Sequence, residues 1–132
     1  MISPRLTAIS ATTGRIGLAS LFILGGINKL LNTADTLQLM RDAALEPAEL
    51  LLPLVVALEL GGGILVAVGR WKAPHAAIGL AIFTLMTNLW FHDFWSAKDA
   101  VSNLQLSLFF KNVAIAGALV YVAGSSKPRS TL

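Results

Sequence analysis

Cysteine is absent from this 132-residue chain. Without a thiol, the chain by itself forms no disulfide, no thiolate metal site and no thiolate-ligated iron–sulfur cluster, so a disulfide relay would need a partner protein. Charge is also scarce, because only 13% of the residues are Asp, Glu, Lys or Arg, where a soluble domain has about a quarter. The chain therefore has too little polar surface to cover a water-soluble globule.

Clustered positive charge is missing too. The ten Lys and Arg residues give a formal net charge of +3, but they are spread along the chain without the interleaved aromatics of a nucleic-acid surface. The two histidines, His75 and His92, lie roughly 25 Å apart if one helix contains both, at 1.5 Å per residue. We therefore expect no nucleic-acid partner and no metal site.

Apolar sequence is what the chain has in abundance. It is 55% hydrophobic, and its mean hydropathy is +0.72. Four apolar runs, over residues 15–31, 50–68, 74–92 and 104–123, approach or reach the roughly 17–25 residues of a spanning helix. Backbone amides in lipid must pair within their own helix. The sequence therefore predicts an all-α integral membrane four-helix bundle, with one domain over residues 1–124 and a polar cytoplasmic tail over 125–132.

The segments between the runs carry signals of helix boundaries. Pro47 and Pro74 stand at the starts of the second and third runs, where a first-turn proline loses no helical hydrogen bond. Ser102 and Gln105 have the spacing of a capping box before the fourth run. Residues 35–44 predict a short amphipathic helix that lies at the membrane interface between the first two spans.

Basic residues mark one side of the predicted bundle. Arg5, Arg70, Lys72, Lys127 and Arg129 fall on the side of the two termini, whereas the other side is rich in Asp and Glu. The positive-inside rule then predicts that both termini are cytoplasmic. A cleavable signal peptide is the alternative for the first run, but no small-residue cleavage site follows it, so we expect this run to remain a span.

Ionisable residues inside the spans are the first candidates for function, because burying charge in hydrocarbon is costly. Arg15 and Lys29 lie near the ends of the first run, where their stems also reach the headgroups as simple anchors. Glu59 lies near the middle of the second run, and Lys111 lies roughly 10 Å below the start of the fourth. Glu59 needs a lysine partner, either Lys29 or Lys111. A structural salt bridge that fixes helix register is one interpretation.

One carboxylate cannot neutralise two lysines. The surplus positive charge predicts either a neutral lysine or a guest that is anionic or a strong hydrogen-bond acceptor. Polar residues cluster in the same half of the bundle, with Asn88 and His92 on one face of the third run and Gln105 and Asn112 on the fourth. Each of them alone is typical of interhelical hydrogen bonding. Together they predict a polar pocket between the helices, towards the outer leaflet.

Glycines follow Glu59 directly, as Gly61-Gly62-Gly63. Small residues four apart, at Ala57/Gly61 and Gly63/Ala67, favour close contact between helices. Space for a ligand beside Glu59 is the alternative interpretation. The stretch does not resemble a phosphate-binding loop, which would follow a strand.

The chain resembles the DoxX family of small membrane proteins from about residue 14 to residue 124. Three segments carry the likeness together: Arg15 with Phe-Ile-Leu-Gly-Gly-Ile-Asn-Lys-Leu at 22–30, Leu-Glu-Leu-Gly-Gly-Gly at 58–63 followed by Gly69-Arg70, and Phe-Phe-Lys-Asn-Val-Ala-Ile-Ala-Gly at 109–117. The resemblance implies a four-helix protein of the bacterial cytoplasmic (inner) membrane. Relatives include a subunit of a thiosulfate:quinone oxidoreductase, so a quinone is the cofactor that the likeness implies.

The resemblance also implies site positions. They are Arg15, Lys29, Glu59, Lys111 and Asn112, which are the charged residues inside the spans together with Asn112. Asn88 and His92 complete the candidate ligand-binding set from the polar pocket; His92 is either part of that set or an ordinary interfacial histidine. No catalytic residue follows from the sequence, because it has no autonomous catalytic motif.

Three functions remain open. The first is an accessory membrane subunit that binds a quinone or small anion near Lys29, Glu59 and Lys111 for a partner oxidoreductase. The second is a non-enzymatic scaffold or oligomer, including a homodimer through the glycine faces, whose buried charges are structural. The third is a carrier for a small anion or lipid that uses protonation of Glu59 as a gate; short helices without a repeat leave little room for alternating access.

Overall fold

The computed structural model describes residues 3–96 and 98–125, and the helices in them come in the order α1 (Pro4–Leu31), α2 (Thr33–Asp42), α3 (Ala48–Val68), α4 (Ala73–Phe91) and α5 (Asp99–Ser125). All but α2 are long and apolar enough to cross a membrane. The prediction of an all-α membrane bundle with a short helix after the first span is confirmed. Most of the predicted polar tail, residues 126–132, lies outside the described residues.

The spanning helices begin earlier than the apolar runs do. Helix α1 begins at Pro4, where the Ser3 hydroxyl accepts a hydrogen bond of 3.3 Å from the Leu6 N–H. Helix α5 begins at Asp99, so Ser102 lies inside the helix and donates to the Phe94 carbonyl oxygen at 3.3 Å. The capping-box interpretation of Ser102 is therefore wrong. Hydropathy marks the lipid-embedded part of a helix, and polar residues extend both helices beyond it.

The helices pack in the spatial order α1, α3, α4, α5, and α1 meets α5 only narrowly. A core draws on all four helices, with members that are buried and mostly small or aliphatic: Ala19, Phe22, Val66, Ala77, Leu80, Ala81, Ala116 and Leu119. The outward faces carry exposed leucines, among them Leu24, Leu54 and Leu89, as expected for surfaces in contact with acyl chains. The protein is thus solvated by the lipid bilayer.

The short helix α2 lies against the start of α3. Its Leu37 and Met40 pack with Ala48, Leu52 and Val56, while Leu39 is exposed. The Arg41 guanidinium forms an ion pair with the Glu49 carboxylate at this junction. We call this end of the bundle, which also holds the α4–α5 connection, the α2 end, and we call the opposite end, with the α3–α4 connection, the terminal end.

Glycines set the distance between α1 and α3. A Cβ atom on Gly63 would lie 2.8 Å from Ile23 Cγ1 and 3.2 Å from the Ala19 carbonyl oxygen. A Cβ atom on Gly26 would lie 2.8 Å from the Leu60 side chain. Gly61, in contrast, has nothing within 4 Å of that position. The contact predicted for the Gly63 face therefore exists within the chain, whereas the Ala57/Gly61 face points away from the bundle.

Candidate functional site

A buried ion pair joins α1 to α3. Lys29 Nζ lies 2.9 Å from Glu59 Oε1, to which it donates a hydrogen bond, and 2.9 Å from Glu59 Oε2. Glu59 is only 5% exposed, whereas the Lys29 side chain keeps 28% of its surface open. Of the two partners that the sequence offered for Glu59, the structure selects Lys29.

Two glycines of α1 make room for this pair. Gly26 lets the helices approach at Leu60, the residue that follows Glu59. Gly25 faces the carboxylate, and a Cβ atom there would lie 3.6 Å from Glu59 Oε1 and 3.7 Å from Oε2. Because glycine carries no side chain, the carboxylate rests directly on the α1 backbone. The Gly-Gly pair of α1 and the glutamate of α3, separate motifs in the sequence, form one contact.

Glu59 Oε2 has an unused hydrogen-bonding capacity. It is buried, and its one neighbouring donor among the described residues is the Lys29 ammonium, which forms an ion pair with it at 2.9 Å but no well-aligned hydrogen bond. The ammonium has three N–H donors and spends one on Oε1. The pair therefore presents a buried acceptor and spare donors side by side, which suits a guest that carries both a carbonyl and a hydroxyl group.

Lys111 does not join this pair. It is exposed on α5 and forms no ion pair or hydrogen bond with any residue in 3–96 or 98–125. The next residue, Asn112, is buried and occupies the position that faces α4. One residue turns a helix by about 100°, so Lys111 falls to the side of that contact. The expectation that Lys111 needs a partner inside the bundle is wrong.

A second polar group lies between α4 and α5, and we call Asn88, His92, Gln105 and Asn112 the amide ladder. Asn112 Nδ2 donates to Asn88 Oδ1 at 2.9 Å, and Asn88 Nδ2 donates to the Phe109 carbonyl oxygen at 3.1 Å. His92 Nδ1 lies 2.9 Å from Gln105 Oε1. Asn88 is 1% exposed, and its amide is paired on both sides. The hydrogen bonds of the ladder thus join α4 to α5.

A cluster of aromatic rings adjoins the ladder at Phe109, whose carbonyl oxygen accepts from Asn88. Phe94 contacts Trp95 and Phe109 edge to face, at centroid distances of 5.3 and 5.2 Å, and Phe110 contacts Phe109 at 5.6 Å. The sequence analysis did not predict that Phe94 and Phe109 lie near the polar residues. The available signal was the density of aromatics around His92, in Trp-Phe-His-Asp-Phe-Trp at 90–95.

Arg15 lies at the other end of α1, roughly 21 Å from Lys29 along the helix. Its guanidinium rests on Gly69, where a Cβ atom would fall 2.4 Å from Nε. Its Nη2 donates to Thr12 Oγ1 at 3.4 Å, and its Nε is buried without an acceptor among the described residues. A cation at the C-terminal end of α3 complements the helix dipole. Arg15 is therefore not part of the site at Lys29.

Comparisons with known proteins agree with the fold. The model of the DoxX family matches residues 10–93, which contain Arg15, Lys29, Glu59, Asn88 and His92. Inner membrane protein YqjF of Escherichia coli K12 is 33% identical over 119 residues, covering 90% of this chain and 85% of the relative. Inner membrane protein YphA of the same organism is 28% identical over 109 residues, covering 83% and 77%. No solved structure matches.

Proposed function

The chain belongs to the DoxX family, and from that premise we propose that it is an accessory membrane subunit that binds a quinone beside Lys29 and Glu59 for a partner oxidoreductase. The observation that carries the proposal is the buried Glu59 carboxylate, which among the described residues is held by one donor group, the Lys29 ammonium, 2.9 Å from each of its oxygens. A charge pair kept only for packing is expected to satisfy its remaining lone pairs, because an unpaired buried acceptor is costly.

The residues of the pair fit a quinone in both of its redox forms. A spare N–H of Lys29 donates to a carbonyl oxygen, and Glu59 Oε2 accepts from the hydroxyl of the reduced form. When bound, the quinone would carry electrons and protons between the partner and the membrane pool. The sequence has no cysteine and no flavin-binding motif, so the partner supplies the electrons and this chain supplies position and hydrogen bonds.

Charge favours a neutral guest over a small anion. The prediction of an anionic guest depends on Lys29 and Lys111 sharing one carboxylate. Lys111 is absent from the pair, and Lys29 with Glu59 is neutral overall. An additional negative charge beside Glu59 would be repelled at this depth, whereas a quinone carbonyl adds none.

The amount of quinone that the purified protein retains tests this proposal directly. Protein purified in nanodiscs with ubiquinone is washed, extracted and analysed by mass spectrometry for wild type, Lys29→Gln and Glu59→Gln. We expect roughly tenfold less quinone in both variants, because each loses a charge-assisted hydrogen bond. The control is Arg41→Gln, which breaks an exposed ion pair elsewhere. Equal retention in all four folded proteins would reject the quinone site.

A scaffold is the second candidate function, and the amide ladder favours it. Asn88 forms hydrogen bonds to α5 through both its side-chain oxygen and its side-chain nitrogen, so neither atom is left unpaired for a guest. In that case the Lys29–Glu59 pair also fixes helix register only. Membranes that lack the protein then keep normal quinone-linked respiration, whereas the accessory subunit requires a loss of one substrate-dependent activity. The carrier hypothesis gains no observation of its own from the described residues.

We further propose that the chain lies in the bacterial cytoplasmic membrane with both termini in the cytoplasm. The basic residues of the terminal end and the inner-membrane names of the two relatives support this orientation. The absence of cysteine makes the test simple. In intact cells an impermeant maleimide is expected to label Asp35→Cys at the α2 end and not Lys72→Cys at the terminal end. The reverse pattern would invert the orientation.

A further inference from the structure

Lys111 remains to be explained once Glu59 is paired with Lys29. It lies about 18 Å from the start of α5 and about 21 Å from its end, at 1.5 Å per residue. It is exposed on the outside of the bundle without an ion pair. A charged group on a lipid-facing surface at this depth is costly unless something compensates it. A lysine in that position indicates a specific neighbour from outside the chain.

A line of polar side chains leads from Lys111 to the α2 end. Asn103, Ser107 and Lys111 follow one another at four-residue spacing, and all three are exposed on α5. We call these three residues the polar track. Ser107 Oγ donates to the Asn103 carbonyl oxygen at 3.0 Å. Helical side chains lean towards the N-terminus of their helix, so the Lys111 ammonium rises along the track towards the headgroups.

The track is bordered by apolar side chains. Leu104 is 59% exposed and Phe110 is 58% exposed. The track is thus a narrow polar strip on a surface that otherwise suits acyl chains. A ligand with an anionic headgroup and apolar tails matches this combination of polar and apolar surface.

A second copy of the chain cannot supply the missing charge. Six of the seven acidic residues lie outside or at the ends of the apolar runs, at Asp35, Asp42, Glu46, Glu49, Asp93 and Asp99. The seventh, Glu59, is buried and engaged by Lys29. No carboxylate of this chain is therefore available at the depth of Lys111. The lipid phase, in contrast, offers a phosphate on every phospholipid.

We propose that the polar track is a docking site for one phospholipid of the leaflet at the α2 end. The Lys111 ammonium donates to the phosphodiester, and the Asn103 amide and Ser107 hydroxyl contact the same headgroup. The acyl chains extend past the exposed Phe110 towards the centre of the bilayer. The site is separate from the Lys29–Glu59 pair and does not depend on quinone binding.

Lipid retention tests the proposal. Protein reconstituted with phosphatidylethanolamine and phosphatidylglycerol is extracted in mild detergent, and bound phospholipid is counted by native mass spectrometry. We expect Lys111→Gln to retain the most tightly held phospholipid roughly fivefold less than wild type, because one lysine–lipid contact is lost. Lys111→Arg is expected to retain it. Lys98→Gln is the matched control, since Lys98 is an exposed lysine at the same end of the bundle.

Equal phospholipid retention by wild type and Lys111→Gln would reject the proposed site. An equal loss of phospholipid in Lys98→Gln would reject it as well, because the loss would then reflect the overall charge of this end of the bundle. A second measurement covers the case in which Lys111→Gln does not fold. In wild-type protein with ¹⁵N-labelled lysine side chains, solid-state NMR is expected to show dephasing of the Lys111 Nζ signal by lipid ³¹P, with the signal assigned from Lys111→Arg. No dephasing rejects lipid contact. A disulfide between two copies of Ser107→Cys in the membrane would place a second chain on the track and reject it as well.

Discussion

The α1–α3 contact buries a charge pair, whereas the α4–α5 contact buries neutral amides and an imidazole. Both contacts include a nearly inaccessible polar residue, since Glu59 is 5% and Asn88 is 1% exposed. They differ in what remains unbonded. The Asn88 amide is paired through its oxygen and its nitrogen, while the second oxygen of Glu59 has only its ion-pair contact with Lys29. Hydrogen-bond saturation, more than burial or polarity, distinguishes the packing contact from the candidate binding site.

Breaking the charge pair is expected to have the largest effect. Glu59→Ala leaves the Lys29 ammonium without its counter-charge, and the free energy of unfolding in micelles should fall by about 3 kcal/mol. This is the lower end for a broken buried pair because the Lys29 side chain remains 28% exposed. Denaturation followed by circular dichroism measures it. The double variant Lys29→Met/Glu59→Met should recover most of the loss, and an equal loss in both proteins would mean that the two groups are not coupled.

Two glycines of α3, Gly61 and Gly63, test how closely α1 and α3 must pack next to the charge pair. Gly63→Ala drives a methyl group towards Ile23 and the Ala19 carbonyl and is expected to cost about 1–3 kcal/mol. Gly61→Ala meets nothing within 4 Å and should be neutral or gain up to about 1 kcal/mol from helix propensity. Thermal unfolding of the two variants side by side gives the answer. A loss in Gly61→Ala as large as in Gly63→Ala would reveal an intermolecular contact on the outward face of α3.

The amide ladder should respond more weakly and only in stability. Asn88→Leu removes hydrogen bonds to Asn112 and to the Phe109 carbonyl, and about 1 kcal/mol is the expected cost within a membrane bundle. Quinone retention should stay at the wild-type level. If Asn88→Leu lowered quinone retention as much as Glu59→Gln, the distinction between the two contacts would fail and the polar pocket would extend across the bundle.

The exposed ion pair at the α2 end is expected to show the smallest effect. Arg41 and Glu49 have side chains that are 40% and 58% exposed, so solvent and salt screen their attraction. Arg41→Gln should leave the melting temperature and quinone retention unchanged within error. A clear drop in either quantity would show that α2 holds the start of α3 in place for the site.

The sequence predicted the positions of the spans and the two residues of the charge pair. It predicted less well which face of each helix points into the bundle. Long apolar runs reveal where a helix crosses lipid, and the ionisable residues within them include Lys29 and Glu59 beside Arg15 and Lys111. Because each span is apolar on all sides, however, its sequence does not show which face points into the bundle and which face contacts lipid. Lys111 and Asn112 are adjacent, and only the packing of α5 on α4 decides that Asn112 faces inward. The choice of Lys29 as partner likewise required the spatial order of the helices, which places α1 beside α3.

The contact between Arg15 and Gly69 shows that the positively charged residues at the terminal end are of two kinds, one held by packing and the others exposed. Gly69 has φ +68° and closes α3, and the Arg15 guanidinium occupies the space that any larger side chain would need. Arg15 is therefore fixed by packing, whereas Arg70 and Lys72 are exposed in the connection that follows. Under the proposed orientation, the charge of this end can therefore change at Arg70 and Lys72 without disturbing the bundle. Dual-topology variants should arise from Arg70 and Lys72, and substitutions of Arg15 should instead appear as folding defects.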